Sequence, residues 1–384
     1  MSVEQNGKLK LPGGAMDKRT CVIIGAGLAG AATAYHLTRM GLERVVVFEQ
    51  ESMPGIHSSG RNAAMIRQVV NHPTIAQMAL EGAAFLRRLP ADWPLVTSLS
   101  QNGSFLLSLT RSPLPAPTTR GSPAVEAEWK PIEEIVRKVP VLEGAPHQGG
   151  IWCPTDGVVD VHSLLQGFLR SAIDHGAQLK LASKVHHIAV NGGRVTAVQT
   201  QNDEIACDVL VNAGGPWAGE IGQRAGSASV PLVPYRRHIF ITNALKWVNP
   251  DWPIIWDITN EVYFRPESGG LLLSPCDEIA DRPGIPPTDA SAAELLAEKV
   301  SRSFPAMPDL PLQNSWAGLR TLTPDRRFVI GWDPKVQGFI WVAGLGGHGV
   351  TVSSSAGRLA AEMILRGDSP SECDPFSPSR FLES

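Results

Sequence analysis

Residues 21–49 read CVIIGAGLAGAATAYHLTRMGLERVVVFE, and the chain is organised around them. Residues 21–24 are apolar and short enough for a buried strand. Gly25-x-Gly27-x-x-Gly30 follows, then Ala34, and an amphipathic segment runs to Met40, where Gly41 ends it. A second apolar run, 45–48, closes on Glu49. The order is strand, tight turn, helix, strand, acid. Gly25 permits the turn, Gly27 lets a pyrophosphate approach the backbone, and Gly30 lets the helix lie against the strand. The first helical turn, with Leu28 and Ala29, presents free N–H groups and a positive dipole end to phosphates. Glu49 stands 19 residues beyond Gly30, where a carboxylate accepts from both ribose hydroxyls and repels a 2′-phosphate. The pattern indicates a dinucleotide and fits FAD and NAD alike.

The bulk numbers narrow the class. A chain of 384 residues can bury a large core and form about two domains. It is 43% hydrophobic and 18% charged, as expected of a globular protein, and its net charge of −3 gives no basis for nucleic-acid binding or attraction to an anionic membrane. The five cysteines show no CxxC and no metal spacing, so no metal site is expected. Cys21 and Cys207, in or beside apolar runs, read as buried thiols. The unpatterned odd count suits a reducing, cytoplasmic compartment. No run reaches the roughly 18 apolar residues of a transmembrane helix. Residues 1–16 read as a disordered leader.

Along the chain, 53–64 form a loop of small and hydroxyl residues (MPGIHSSGRNAA), able to press against a cofactor. Helical periodicity covers 71–89, and 103–109 is strand-like. Residues 111–123 are Pro/Ser/Thr-rich and read as a surface loop. A helix and turn are expected over 129–143 and a helix over 162–175, followed by strands at 177–181, 185–190, 194–200 and 204–211. The last of these leads to Asn212-Ala213-Gly214-Gly215 and Trp217. Short strands at 231–242, 254–258, 261–266 and 269–275, with a helix near 290–303, suggest a separate, mainly antiparallel unit. The chain closes with WAGLRT at 316–321, strands at 328–331 and 338–343, the Gly-rich turn 344–350 and a helix over 351–365. Nucleotide-binding elements thus recur at the start, middle and end. A nicotinamide dehydrogenase does not usually need a C-terminal Gly-rich turn and helix, whereas a long cofactor touched at both ends does.

Together these segments resemble the D-amino acid oxidase/glycine oxidase group of FAD enzymes, and within it look nearest to bacterial FAD-dependent D-arginine dehydrogenase. The motifs are the opening stretch, HSSGRNAA, VNAGGPWA, WAGLR and AGLGGHGVTVSSSAG, and the resemblance covers residues 17 to about 370. It implies an α/β fold: an FAD-binding, Rossmann-like domain of the glutathione-reductase type (17–100, 150–228 and 316–370), with a mainly antiparallel β substrate domain (101–149 and 229–315). FAD would be non-covalent, because Gly318 and its neighbours lack the cysteine by which some relatives attach it.

The resemblance also implies roles. Gly25, Gly27, Leu28, Ala29 and Gly30 would hold the pyrophosphate, and Glu49 and Gln50 the adenosine ribose. Val185 would contact the adenine by its backbone. Ser58, Ser59, Arg61, Asn62, Ala63 and Ala64 would lie along the cofactor, as would Ala213 and Gly214, with Trp217 nearby. Gly318, Arg320, Gly346, Gly347, His348, Gly349, Val350 and Thr351 would surround the flavin.

The implied reaction removes a hydride from Cα of an amino acid to flavin N5, and the imine hydrolyses to a 2-oxo acid. Orientation carries much of such a reaction. Arg320 would bind the substrate carboxylate bidentately, Tyr263 would donate to the same carboxylate, and Gly347 would lie beside it. Arg236 and Arg237 stand where a relative has a substrate-contacting arginine, and on a strand only one can face the site. Met65, Arg67 and Val70 replace a histidine, a threonine and a lid tyrosine. Arg67 either points inward, where it would repel a cationic side chain, or pairs with a carboxylate elsewhere. D-arginine is therefore disfavoured against an acidic, neutral or N-substituted amino acid. His348 either tunes the flavin or is simply packed. The electron acceptor would be a quinone, a carrier or oxygen. An alternative expectation is the FAD subunit of a multi-subunit opine or amino acid dehydrogenase that passes electrons to a partner.

Overall fold

The two apolar runs of the opening stretch become neighbouring strands. The computed structural model describes residues 17–111 and 125–382. In it, β1 (Asp17–Ile24) pairs in parallel with β2 (Leu42–Phe48), with α1 (Leu28–Arg39) between them in sequence. The expected leader and nearly all of the expected 111–123 loop lie outside the described residues. The sheet continues to six strands in the order Val329–Trp332, Phe339–Ala343, Val209–Asn212, β1, β2, Gln178–Lys180. All neighbours are parallel except Val329–Trp332 at one edge.

A parallel sheet needs cover on both faces. Cys21, Ile23, Val45, Val47, Val209 and Val211 pack among helices on one side. Val22, Ile24, Val46, Phe48 and Leu210 pack on the other, against Ile188, Val195 and Val198 of a three-stranded antiparallel sheet. The helical layer is close-packed: a Cβ on Gly357 of α2 (Gly349–Arg366) would sit 2.5 Å from the carbonyl carbon of Ala32 on α1. His36 lies at this crossing, its Nε2 3.2 Å from Ser354 Oγ.

The second sheet has nine strands and is mainly antiparallel, giving the two-part α/β architecture expected. Its longest pair is β3 (Val233–Thr242) with β5 (Leu312–Leu322), where Arg237 opposes Gly318 and Tyr235 opposes Arg320. β4 (Val262–Glu267) joins them through Gly270–Ser274. One face buries Phe105, Phe240, Phe264 and Leu273 under the helix Ala290–Ser303. The other face carries Ile239, Tyr263 and Leu272 and packs on Ala63 and Met65.

Some elements differ from the sequence reading. Gly149–Cys153 pairs within the large sheet, and β5 brings Gly318 and Arg320 into that same sheet. Both segments were assigned by sequence to the nucleotide-binding part. The helix and turn expected over 129–143 are a short helix (Ile132–Lys138) and a 3-10 turn (Pro140–Leu142), and an edge strand (Glu128–Pro131) precedes them. Pro131 and Pro140 interrupt the helical hydrogen-bond run. All five cysteines are free and buried. Among the described residues, no helix is long and apolar enough to cross a membrane.

Burial, reinforced by the Arg358 guanidinium, pushes the pKa of His36 down to about 3. The unfolded chain therefore takes up this proton first as pH falls. Stability should drop from about pH 6.5 toward 3, at about 1.4 kcal/mol per pH unit for such a group. We expect urea midpoints to fall between pH 7 and 5, and His36→Gln, whose amide can still reach Ser354, to shrink that fall. An unchanged fall in the variant would contradict neutral burial of His36.

Candidate active site

The nucleotide end is built by contacts that leave no room for side chains. Gly25 has φ +103°, and a Cβ there would meet Ala213 O at 2.4 Å. A Cβ on Gly30 would lie 1.9 Å from Gly25 O. Gly25 N–H donates to Phe48 O at 2.8 Å, so β1, β2 and Val209–Asn212 converge on this turn. Glu49, at the end of β2, is 8% exposed. Its carboxylate accepts from the N–H groups of Ala26 (2.9 Å) and Glu51 (3.0 Å). Each oxygen keeps a lone pair for a further donor.

The 57–64 loop is pinned from both sides. Ser59 Oγ accepts from Leu28 N–H at 3.0 Å, and Ser58 Oγ donates to Leu319 O on β5 at 2.7 Å. Asn62 Nδ2 donates to the carbonyls of Ser58 (3.1 Å) and Ser59 (2.7 Å), while its Oδ1 accepts from Ala64 N–H at 2.8 Å. Gly318 makes the contact beneath possible, since a Cβ there would sit 2.2 Å from Arg61 O.

One cleft of about 1620 Å³, counting its solvent-open part, joins the two ends of the structure. At the nucleotide end it is lined by Gly25, Gly27, Leu28, Ala29, Glu49, Gln50 and Val185. Its flank takes in Ser58, Ser59, Arg61, Asn62, Ala63, Ala64, Ala213, Gly214 and Trp217. At the far end it meets Gly318, Arg320, Gly346, Gly347, Gly349 and Val350, with Arg237 and Tyr263 from the large sheet.

Five expected residues, Gly30, Arg67, Arg236, His348 and Thr351, do not line the cleft. Gly30 packs beneath the turn. Thr351 is buried, and its Oγ1 accepts from Arg67 N–H at 3.1 Å. His348 stands at the N-cap of α2, beside Arg67. Arg236 turns to the opposite side of β3, with Nη2 3.4 Å from Asp289 and Nε 4.0 Å from Asp281. The strand alternation thus sends Arg237, not Arg236, into the cleft. Sequence reasoning missed His57, Lys184, Arg224 and Ile239, which also line it. Ile239 was accessible in principle, two residues from Arg237 on one strand face. Arg224 Nη1 donates to Val185 O at 3.0 Å across 39 residues, with no sequence signal.

The far end is strongly electropositive. Arg320 has no acidic partner within 4 Å among the described residues, and a Cβ on Gly347 would be 3.1 Å from its Cζ. Burial, together with Arg237 and Arg67, lowers its pKa to about 10. Arg237 is 8% exposed, and its Nε and Nη1 are buried without a hydrogen-bond partner. Its Nη2 is 3.6 Å from Glu278, whose two oxygens are held by Arg326 at 3.1 and 2.5 Å. The Tyr263 hydroxyl is also buried without a partner, and burial raises its pKa. Arg67 lies over the Trp256 ring at 4.3 Å, with Nη2 3.3 Å from His348 Nε2. Burial, then Arg67 and Arg320, push His348 down to about 3. It is neutral, and Nε2 accepts from Arg67, which can only donate.

The residues present fit an FAD. A bare glycine turn and a helix N-terminus suit a pyrophosphate, and Glu49 suits ribose hydroxyls. The cleft then extends to a second glycine turn and a second helix N-terminus, at Gly349, beside unpartnered donors. A nucleotide fold joined to an antiparallel sheet across one such cleft defines a dinucleotide-dependent oxidoreductase. Residues 20–363 match the family described as DAO, FAD dependent oxidoreductase, and the chain belongs to it.

The chain is 27% identical over 366 residues to the mitochondrial pyruvate dehydrogenase phosphatase regulatory subunit of Mus musculus, covering 90% of this chain and 41% of that protein. It is 26% identical over 390 residues to mitochondrial dimethylglycine dehydrogenase of Homo sapiens, covering 95% and 44%. It thus spans less than half the length of these curated relatives. L-proline dehydrogenase from P. horikoshii shares the fold with a TM-score of 0.84 at 24% identity, over 96% of this chain and 99% of that one. These similarities reach the family and do not single out D-arginine dehydrogenase.

Gly318→Ala should drive a methyl into the Arg61 carbonyl and displace the 57–64 loop, an overpacking cost of about 1–3 kcal/mol. We expect weaker FAD binding, read by flavin fluorescence during reconstitution. Wild-type affinity in this variant would show that the loop does not support the cofactor.

Proposed function

We propose that the protein oxidises the C–N bond of a small amino acid or N-substituted amino acid. The observation that carries this is the donor pair at the far end of the cleft: Arg320 without an acid and Tyr263 with an unpartnered, buried hydroxyl. The similarity to dimethylglycine dehydrogenase supports the same class. Bound FAD, held non-covalently, supplies the two-electron acceptor. In this reading the six-stranded layer with the 57–64 loop holds the cofactor and the nine-stranded sheet holds the substrate.

Arg320 and Tyr263 fix the carboxylate, and a planar guanidinium fork adds orientation to charge. Orientation aims the Cα–H bond, much of what such a reaction requires. The N-terminus of α2 turns its positive end to the cleft and favours negative charge there. Among the described residues Glu49 is the one acid lining the cleft, and it lies at the opposite end. A substrate ammonium would therefore meet guanidinium groups and no counter-ion, which favours the neutral amine. The proton is lost to water before oxidation, with no dedicated base. The imine formed hydrolyses to a 2-oxo acid.

This electrostatic setting has a testable sign. The amine pKa in the complex should lie below that of the free amine, so activity on the bound substrate rises with pH and levels off below the free amine's pKa. A rise that tracks the free amine unshifted would argue against the cationic environment. Arg320→Ala should weaken substrate binding by about 2–4 kcal/mol, as for loss of a buried charge partner, while flavin content is retained. Anaerobic bleaching of the flavin band by a panel of D-, L- and N-methyl amino acids measures both effects. A flavin that no amine bleaches would refute C–N oxidation by this chain.

A further inference from the structure

The cleft holds more positive charge and more unmet donors than one carboxylate uses. A carboxylate offers about four acceptor sites. The fork of Arg320 and the Tyr263 hydroxyl take up most of them. Arg237 remains, with Nε and Nη1 buried and unpartnered. It is a diagonal neighbour of Arg320 on one sheet face, because it opposes Gly318, two residues before Arg320. Such neighbours lie about 7–8 Å apart, within reach of long side chains. Trp316 Nε1, on the same face opposite Ile239, is also buried without a partner.

The nearby acids do not balance this charge. Glu278, 3.6 Å from Arg237, is shared with Arg326, which donates to its two oxygens at 3.1 and 2.5 Å, so one carboxylate faces two guanidinium groups. Asp156, on the Arg67 side, accepts from Ser104 Oγ at 2.7 Å and from Gln68 at 2.9 and 3.0 Å. Arg67 has no acid within 4 Å among the described residues and rests on Trp256, whose ring centroid is 5.0 Å from that of Tyr263. His348 beside it is neutral, so it adds no charge of its own.

We infer that the substrate carries a second carboxylate, held by Arg237 in the field of Arg67, and that the preferred substrates are dicarboxylic amines. These are amino acids with an acidic side chain, or secondary amines bearing a carboxyalkyl group on nitrogen. The inference rests on the proposed C–N oxidation and names its substrate class. A monocarboxylate with a neutral amine brings one negative charge to the two guanidinium groups that line this end of the cleft, Arg237 and Arg320, with Arg67 packed behind them on Trp256. A dicarboxylate brings two and meets the donors that the first carboxylate leaves unmet. Buried charges left unpaired are costly, so the second anion adds affinity.

The experiment uses the flavin-loaded protein and two readouts. Flavin absorbance is titrated at fixed ionic strength with non-oxidisable acids, propionate and butyrate against succinate and glutarate. The same protein is then mixed anaerobically with paired amines, alanine against aspartate and sarcosine against iminodiacetate. We expect diacids to bind on the order of 10–100-fold more tightly than the matching monoacids, as for hydrogen bonds to a charged group. Arg237→Gln should bring that ratio close to one, and Arg237→Lys, which keeps the charge, should retain part of it. Equal binding of mono- and diacids overturns the inference, as does an Arg237→Gln variant that weakens both alike, which would assign Arg237 to the first carboxylate. Oxidation of monoacid amines with no diacid preference sinks this inference and leaves C–N oxidation standing. Tight diacid binding with no amine able to bleach the flavin sinks C–N oxidation, and with it the amine substrate, and leaves only the second carboxylate site at Arg237.

Discussion

The structure depends on one point of near-zero clearance, the carbonyl of Gly25 and its surroundings. A methyl group on Gly25 or Gly30 would overlap backbone within 2.4 Å. Here the chain leaves β1, turns through a left-handed residue and enters α1 while the strand Val209–Asn212 ends alongside. Only when these backbones touch does the α1 N-terminus open into the same cleft as Glu49. Everything farther along that cleft inherits its direction from this junction. The second glycine turn, at 344–347, follows the strand next to Val209–Asn212 and so faces the same way.

Much of this was legible in the sequence because it is local. The opening strand–turn–helix–strand is a run of 29 residues, 21–49, whose spacing is itself the geometry. Alternation on β3 restricted the site to one of Arg236 and Arg237, but sequence parity has no absolute reference. The pairing of Arg237 with Gly318 supplies it. The contact between Arg67 and His348 spans 281 residues, and the one between Arg224 and Val185 spans 39. No periodicity reports such distances. The pairing of Gly149–Cys153 within the large sheet was hidden for a related reason. A strand's sequence shows that it is buried, not which sheet buries it.

The electrostatics follow from this non-local assembly. Each arginine alone reads as an ordinary cation on a strand or loop. Once they are brought together under protein, burial first and then neighbouring guanidinium groups lower the basicity of Arg67 (beside Arg237), of Arg320 (beside Arg237 and Arg67) and of His348 (beside Arg67 and Arg320). Two adjacent arginines on β3 take opposite fates: Arg236 finds Asp281 and Asp289 on the outer side, and Arg237 finds one shared glutamate. The charge imbalance is thus confined to the face of the sheet that looks into the cleft.

The tie between the 57–64 loop and β5 has a consequence for how the two ligands sense each other. Ser58 holds the carbonyl of Leu319, and the next residue along the strand is Arg320. One hydrogen bond therefore links the wall beside the cofactor to Arg320, the proposed anchor of the substrate carboxylate. Thermodynamic linkage makes such a connection reciprocal. To the extent that substrate immobilises β5, it slows the escape of the flavin, and to the extent that flavin orders the loop, it prepares the anchor. Holoenzyme assembly and substrate affinity are then two readings of the same mechanical coupling.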